Sequence, residues 1–491
     1  MKKTNSDSIQ SSCSSIASVV VIANRLPLTV KITDPESETG YTIVNSSGGL
    51  VSALKAIKNI DYVWVGWPGC AVPEIMLNSF IKDCADANCC PVFMSKELID
   101  GFYDGYCNKV IWPILHYVIN DAHDNISEEY AAYEEANRLF AEAVKAYYVD
   151  YKQKHPNKEV ILWVHDYHLM ILPQILRRVV PDPNAKIAFF LHTPFPHRTM
   201  WSTIPQCKKL LLGLMHCDLV GFHIYEYQKH FMNCCESLVG ATICDFTIES
   251  KEMTGYNVRC ISSPIGIDPK PFIDASASQE IKLARKNLRA RYNNRYIILG
   301  VDRLDYMKGV YQKLKGIEVF LKKYPDYKHE IVLIQLAVPS RQDVPAYQKL
   351  KRTVHELVTA INGTSTEAPV IEHWDQSLSF KELVAVYTAA DACLISSIRD
   401  GMNLVAFEYL ACQSQNCGSL LLSCFTGAER SLAHAAITFN PWDPEQIADA
   451  IYEAMCTGKT ERANRLRWGL KHISEHTAEH WAKILLNDLL C

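Results

Sequence analysis

Nine runs of unbroken apolar, β-rich residues recur along the chain, and helical patterns fill the intervals between them. The runs are Val19–Ile22, Tyr62–Val65, Val160–Val164, Ile187–Leu191, Leu219–Phe222, Tyr296–Val301, Ile331–Leu336, Cys393–Ser396 and Ser419–Ser423. A strand with one wet face alternates apolar and polar residues, so continuous runs demand burial on both faces, as in a parallel sheet covered by helices. The intervening helices read roughly over Ser127–Tyr148, Asp343–Asn362, Ser379–Ala389 and Pro444–Met455. Strand and helix in alternation predict α/β layers joined by right-handed crossovers. The chain has 491 residues, and at about 100–200 residues per domain two large domains are the simplest division. The alternation pauses between Ser262 and Arg295, across Pro264, Pro269, Pro271 and the charged, helix-like stretch Gln279–Arg291. The expected organisation is a disordered leader over 1–17, a first α/β domain over 18–262 and a second over 263–474. The end of the long helical stretch Lys459–Leu490, from about 475 to 491, is expected to cross back to the first domain.

Composition removes several function classes. Lys plus Arg number 50 against 54 Asp plus Glu, a formal charge of -4, and no long basic run exists, so nucleic acid is a poor partner. Any anion site must be local. The 18 cysteines are scattered, with neighbours such as Cys89-Cys90 and Cys234-Cys235 and no repeated CxxC pair of the kind that holds zinc. They read as small buried residues with free thiols, which suits a reducing compartment. Lys2 and Lys3 precede the apolar stretch Ile16–Ala23, but the intervening residues are polar and Ser-rich, so this is a leader and a first strand rather than a signal peptide. No run reaches the ~18 apolar residues that a membrane helix needs, and the cytoplasm is the expected location.

Open parallel sheets bind ligands beyond the carboxyl ends of their strands. Five polar clusters sit there: Asn24-Arg25, His165-Asp166-Tyr167-His168, His192-Thr193-Pro194, Asp302-Arg303-Leu304-Asp305 and Arg399-Asp400-Gly401. Five clusters in register argue for one cleft served by two sheets. Arg303 and Lys308, five residues apart just past an apolar strand, suit a diphosphate clamp that stabilises charge on a leaving group. At Asp400-Gly401 a turn leads into a helix expected from near Met402, whose free amides can face phosphate. Leu404 and Glu408 are four apart on one helix face, and a carboxylate there can accept both hydroxyls of a ribose. Ser46-Ser47-Gly48-Gly49-Leu50 opens a helical stretch with two glycines that permit close backbone approach to an anion. It is not a Walker loop, since no GKS or GKT follows. His192 ends an apolar strand, where it is either a core histidine satisfied by backbone or a hydrogen-bonding group at a sugar. Asp166 lies between two histidines, but the HDYH cluster lacks zincin spacing, and no metal is expected.

The segments NRLPL, SSGGL, WVGWPG, WPILHY, HDYHL, FLHTPFP, GVDRLDYMKG, VPSRQDV and RDGMNLV, with Glu408 downstream, occur in order from about Val19 to Trp442. In that ordered set the chain resembles the trehalose-6-phosphate synthases of glycosyltransferase family 20. The resemblance implies a GT-B fold, with a Rossmann-like acceptor domain followed by a Rossmann-like nucleotide-sugar domain. It implies transfer of glucose from UDP-glucose to glucose 6-phosphate with retention at the anomeric carbon. Arg303 and Lys308 would hold the donor diphosphate and Glu408 the ribose. The amides of Asn403, Leu404 and Val405 would support the phosphates. Gly48, Gly49, His192, Asp400, Gly401 and Met402 would surround the donor glucose and diphosphate. Arg25, Trp67, Tyr103, Trp112, Asp166 and Arg341 would hold glucose 6-phosphate, the two arginines on its phosphate. Asp166, His192, Arg303 and Lys308 are the candidate catalytic residues. No cofactor is implied, because the two cations would take the place of the metal that other transferases use. The implied partners are the small-molecule substrates, and a homo-oligomer or a synthase complex with a separate phosphatase.

The implied mechanism uses no covalent glycosyl intermediate, unlike that of retaining hydrolases. The acceptor attacks on the face that UDP leaves, the leaving phosphate takes the proton, and the protein orients and stabilises charge. The chain departs from the family pattern at Phe407, where Lys is common, at Asp104, where Asn is usual, and over His197–Trp201. Nothing after Leu490 resembles the phosphatase domain fused to some relatives. Three alternatives stand beside this reading. One is a relative with another donor nucleotide or acceptor. Another is a catalytically silent regulatory subunit, which should have lost clamp residues that are all present here. The third is an epimerase or dehydrogenase, which would want a glycine fingerprint that the chain lacks.

Overall fold

The computed structural model describes residues 16–45, 61–119, 125–338, 345–364 and 368–490. The chain forms two compact units, Met1–Pro264 with Trp481–Cys491, and Ile265–His480. Of the expected leader, Ile16 and Ala17 begin the first strand, and the rest lies outside the described residues.

The first unit is built on a sheet whose strands are β1 (Ile16–Arg25), β4 (Asp61–Trp67), β5 (Cys89–Pro91), β6 (Glu159–His165), β7 (Lys186–Phe190), β8 (Leu219–Phe222), β9 (Thr242–Cys244), β10 (Thr247–Glu249) and β11 (Val258–Ser262). Their spatial order is β5-β4-β1-β6-β7-β8-β11-β10-β9. From β5 to β11 every pairing is parallel. The continuous apolar runs are the reason: Val20, Val21 and Ile22 of β1 are wholly buried, as are Leu162 and Val164 of β6. The antiparallel tip, β9 with β10, turns through Asp245 and Phe246, both at positive φ. Two successive positive φ values are the mark of a type I′ hairpin turn, usually announced by Asn-Gly. Asp-Phe does not announce it, so the sequence reading passed over this hairpin. A separate antiparallel pair, β2 (Leu28–Ile32) with β3 (Tyr41–Asn45), was also unannounced.

The second unit carries β12 (Tyr296–Arg303), β13 (Ile331–Val338), β14 (Ile371–Trp374), β15 (Ala392–Ile395), β16 (Ser419–Ser423) and β17 (Ala436–Phe439). All are parallel, in the order β14-β13-β12-β15-β16-β17. Counted from β12, this is the Rossmann order 3-2-1-4-5-6. The first six parallel strands of the other unit follow the same order. In each sheet the winding therefore reverses beside its first strand, between β1 and β6 and between β12 and β15. The physical consequence is a gap beyond the strand ends where two crossovers diverge, which is where such sheets take ligands.

Helix expectations were met within a few residues, as at Pro444–Cys456 and Phe380–Ala389, the latter closed by a Ser379/Glu382 capping box. The prolines and charges at the start of the second unit form two helices, Lys270–Ala277 and Gln279–Arg291, the latter as its pattern predicts. The long terminal stretch is two helices, Lys459–Glu475 and Ala478–Leu490, broken at His476-Thr477. The passage into the first unit's terminal segment lies at His480/Trp481. In that unit the Trp481 ring packs 5.2 Å from Trp163 and 5.0 Å from Phe190. Among the described residues no helix is long and apolar enough to cross a membrane, and every cysteine is free.

Candidate active site

In the first unit, β1 delivers Arg25 to its carboxyl end, where the guanidinium is exposed and lies 4.6 Å over the Trp67 ring. The pairing of Arg25 with Trp67 at the ends of β1 and β4 sets this stack, and the Trp64 indole donates to the Arg25 carbonyl at 2.9 Å. Gly69, at φ +94°, lets the chain turn directly against the guanidinium, since a Cβ there would come within 2.5 Å of it. Arg25 has no acidic partner among the described residues, so its fork remains open to an anion.

An aromatic wall continues from that arginine. Trp67 and Tyr103 lie 5.8 Å apart, and Tyr103 stacks on His168 at 5.8 Å. The Trp112 ring lies 5.5 Å from Tyr167. Tyr103 and Asp104 sit on a π-helical stretch, Asp100–Ile111, which runs directly into Trp112. Such widened turns are rare and often mark functional positions, because they re-aim side chains that a regular helix would place elsewhere. Asp166 directly follows β6 at φ +70°, strained for a residue with a Cβ, and its amide donates to the Phe190 carbonyl at 2.9 Å. The His192 amide in turn donates to the Asp166 carboxylate at 3.4 Å. Strand ends β6 and β7 thus lock Asp166 and His192 together. Burial pushes the His192 imidazole down to about 3 and the neighbouring His165 well below its ordinary value, so both are neutral hydrogen-bonding groups. His165 is wholly buried, whereas His192 is half-buried rather than a core histidine.

The second unit assembles two segments. Arg303 ends β12, exposed and without an acidic partner among the described residues. Beneath it Asp302 is buried against Lys313 at 2.6 Å and Gln335 at 3.1 Å. Asp305 caps the following 3-10 turn, accepting from the Met307 amide, and the turn delivers Lys308. Gly309 closes it at φ +65°, where a Cβ would strike the Ser396 carbonyl. The Ser396 hydroxyl donates to the Gly309 carbonyl at 2.9 Å, and the Ile398 amide to that of Met307. These bonds stitch the Arg303–Gly309 turn to the loop that carries Asp400.

Lys308 Nζ donates to Asp400 Oδ2 at 2.6 Å, and Ser397 and Asn403 donate to the same oxygen at 3.3 and 3.0 Å. Three donors on one half-buried carboxylate hold the ammonium in a single place. Asn403, at φ +85°, caps the helix Leu404–Cys412 by accepting from the Ala406 amide. The helix begins at Leu404 rather than near Met402, because Asp400 to Met402 belong to the preceding turn, where the Asp400 carbonyl accepts from the Gly427 amide and the Met402 carbonyl from that of Ala428. Its first-turn amides, Leu404 and Val405, are left for an anion. One turn on, Glu408 accepts from the Tyr387 hydroxyl at 2.8 Å, and burial pushes its carboxyl up to about 7 against the lowering effect of that bond.

Gly48, Gly49 and Arg341 lie outside the described residues. Phe407 is 1% exposed and belongs to the core, so an apolar residue suits its place. Within the His197–Trp201 departure, Trp201 is a packing residue, fully buried 4.7 Å from Phe195, while His197, Arg198 and Thr199 are exposed. Tyr387, Ser397, Lys313 and Gln335 carry no signal in the sequence. Tyr387 and Gln335 act on Glu408 and Asp302, distant in the chain, while Ser397 and Lys313 act on nearby carboxylates without any motif to mark them.

The geometry can be set against known proteins. The family model for glycosyltransferase family 20 matches residues 17–490. The chain belongs to glycosyltransferase family 20. As a family 20 member it is 41% identical to alpha,alpha-trehalose-phosphate synthase [UDP-forming] 1 of Aspergillus fumigatus, over 98% of this chain and 92% of that one. The family 20 architecture, two Rossmann-like units of the GT-B class, is shared with solved structures. One is an alpha,alpha-trehalose-phosphate synthase (UDP-forming) from Burkholderia xenovorans in complex with glucose-6-phosphate, with TM-score 0.80 and 25% identity, covering 96% of this chain and 100% of that one. Another is the Candida albicans trehalose-6-phosphate phosphatase N-terminal domain, with TM-score 0.84 and 28% identity, covering 96% of both chains. Proteins named for two different activities share this family 20 fold, so the fold alone does not assign the chemistry.

Proposed function

We propose that the chain is a retaining glucosyltransferase that moves glucose from UDP-glucose to glucose 6-phosphate, forming α,α-trehalose 6-phosphate and UDP. The observation that carries this reading is that both residue sets are complete in one chain. Arg25 over Trp67, with Tyr103 beside that ring, is suited to a sugar phosphate, and Trp112 and Asp166 belong to the same unit. Arg303, the Lys308–Asp400 pair, the Leu404 helix start and Glu408 suit a nucleoside diphosphate. The names of the relatives agree: an enzyme that forms trehalose phosphate and UDP, with glucose-6-phosphate bound in one solved relative, would take its second glucose from UDP-glucose.

In this proposal Arg303 and Lys308 stabilise the charge that grows on the diphosphate as the glycosidic C–O bond breaks, which is why no metal cofactor is invoked. Glu408 accepts the ribose hydroxyls. His192 and Asp400 hold the donor sugar, with Gly48 and Gly49 beside it, and Gly401, Met402, Asn403, Leu404 and Val405 offer backbone to the phosphates. Asp166 orients the acceptor hydroxyl, whose oxygen attacks the anomeric carbon on the face that UDP leaves while its proton passes to the departing phosphate. Arg25 and Arg341 hold the acceptor phosphate. The same proposal places the protein in the cytoplasm, where its free thiols stay reduced. A homo-oligomer or a complex with a separate phosphatase belongs to it too, to be read by light scattering.

The test is UDP release from purified protein given UDP-glucose, with and without glucose 6-phosphate and with no added metal. Release that requires glucose 6-phosphate, with a non-reducing disaccharide phosphate as product, supports the reading. Saturable binding without release would favour a silent regulatory subunit.

A further inference from the structure

His165 takes no part in the chemistry above, yet it is wholly buried at the end of β6 with Nδ1 3.2 Å from Nε2 of His192. One proton must lie between those two nitrogens, and which ring owns it decides what His192 can offer to a ligand. If His192 donated, His165 would carry its own proton on Nε2, an atom that is buried with no hydrogen-bond partner. The rings around it supply no acceptor. Trp163 lies 4.9 Å away and Trp481 6.5 Å, and the indole N–H of each is itself buried without a partner. A third orphan N–H in that shell carries a desolvation penalty with nothing to offset it. If His165 donates instead, its Nε2 is a bare lone pair rather than an orphan N–H, the less costly arrangement. His192 Nε2 then accepts, and its proton sits on Nδ1, which has no hydrogen-bond partner among the described residues. Burial keeps both rings neutral, so each has one proton to place.

We propose that His165 is a positioning residue for the donor sugar: its Nδ1–H fixes His192 in the Nδ1-protonated tautomer, which presents an N–H donor to a hydroxyl oxygen of the bound glucosyl group. This rests on the functional reading above. Trp163 and Trp481 complete the device by keeping water and acceptors away from His165 Nε2. The terminal helix Ala478–Leu490 thereby contributes to the donor site through Trp481, at 6.0 Å from the His192 ring, without contacting substrate.

The experiment compares His165→Leu, which fills the space without a donor, with His165→Asn, whose amide N–H stands where Nδ1–H was. Imidazole ¹⁵N spectra are recorded alongside, with the His192 signals identified by their loss in His192→Gln. We expect kcat/KM for UDP-glucose to fall about tenfold in the Leu variant, the scale of one lost hydrogen bond. KM for glucose 6-phosphate stays unchanged, and Asn restores most of the loss. The spectra should show His192 protonated at Nδ1 in the parent protein and in the Asn variant, and a tautomer mixture in the Leu variant. His192 protonated at Nε2 in the parent protein overturns the proposal, as does equal behaviour of Leu and Asn. If the Leu variant does not fold, the parent spectrum decides by itself. Failure of the parent protein to release UDP in the presence of glucose 6-phosphate is a separate result. It sinks the functional reading and leaves the tautomer assignment standing or falling on its own spectrum.

Discussion

The two units place their candidate residues beside the same switch point of the same strand order, yet build them from different materials. In the first unit Arg25 stands over Trp67, followed by Tyr103, His168, Trp112 and Tyr167, with Asp166 the one carboxylate assigned to the substrate. The second unit uses charge: an exposed Arg303, a Lys308–Asp400 pair with three donors on one carboxylate, a helix start and a buried Glu408. A sugar ring is recognised by apolar faces and a few directed bonds, whereas a diphosphate is recognised by fixed positive charge. The first unit's set is therefore suited to orienting an acceptor, and the second's to stabilising a leaving group.

Four measurements would break or sharpen that contrast. The largest effect should come from Arg303→Ala or Lys308→Ala, each lowering turnover about 10²–10³-fold, with thermal melting close to the parent for Arg303→Ala, whose side chain is exposed, and lowered for Lys308→Ala, which leaves Asp400 without its cation. Near-normal turnover in either variant would remove charge stabilisation from the second unit. Next in size, Arg25→Ala should raise KM for glucose 6-phosphate about 10–100-fold, the cost of a lost charged hydrogen bond, and leave KM for UDP-glucose alone. If only UDP-glucose binding weakened, the roles of the two units are reversed.

A smaller effect is expected from pH. The Glu408 carboxyl is raised to about 7, first by burial, with Tyr387 pulling the other way. Ribose hydroxyls donate to the ionised form, so binding draws the proton off. UDP affinity, measured by calorimetry, should rise about tenfold as pH climbs from about 6 to 8. Glu408→Gln should flatten that rise, and its residual slope reports the titration of the nucleotide's own phosphate. The sign for folding is opposite. Because the native carboxyl holds its proton more tightly than the unfolded one, this group's stabilisation is present below the ordinary carboxylate value and is lost as pH rises through 7. The smallest change should be that of Tyr387→Phe. It removes the hydroxyl that lowers the Glu408 value, so the midpoint of UDP binding should move above 7. An unmoved midpoint would show that burial alone sets it.

The second unit was the more legible one in sequence because its residues come in two contiguous segments, 303–309 and 399–408, each directly after a recognisable strand. Arg303, Lys308, Asp400 and Glu408 could be named together from spacing and helix geometry. The aromatic wall of the first unit draws on β4, the π-helical stretch and the ends of β1 and β6, and the rings meet only after the crossovers are in place. Tyr103 and Trp112 were therefore named through family motifs rather than through any local pattern.

By itself the sequence determined the parallel sheets, because apolar runs without alternation have no stable home except between two helical layers. It also determined which residues follow each strand, since chain order alone puts them there. Tertiary structure decided what those residues are worth. It put Tyr387 against Glu408, Asp400 against Lys308 and His165 against His192. It also took the terminal helix back to cover Trp163 and Phe190. Protonation, charge pairing and tautomer depend on neighbours within a few ångströms. Those neighbours are set by how crossovers pack on a sheet, which no local pattern in the chain records.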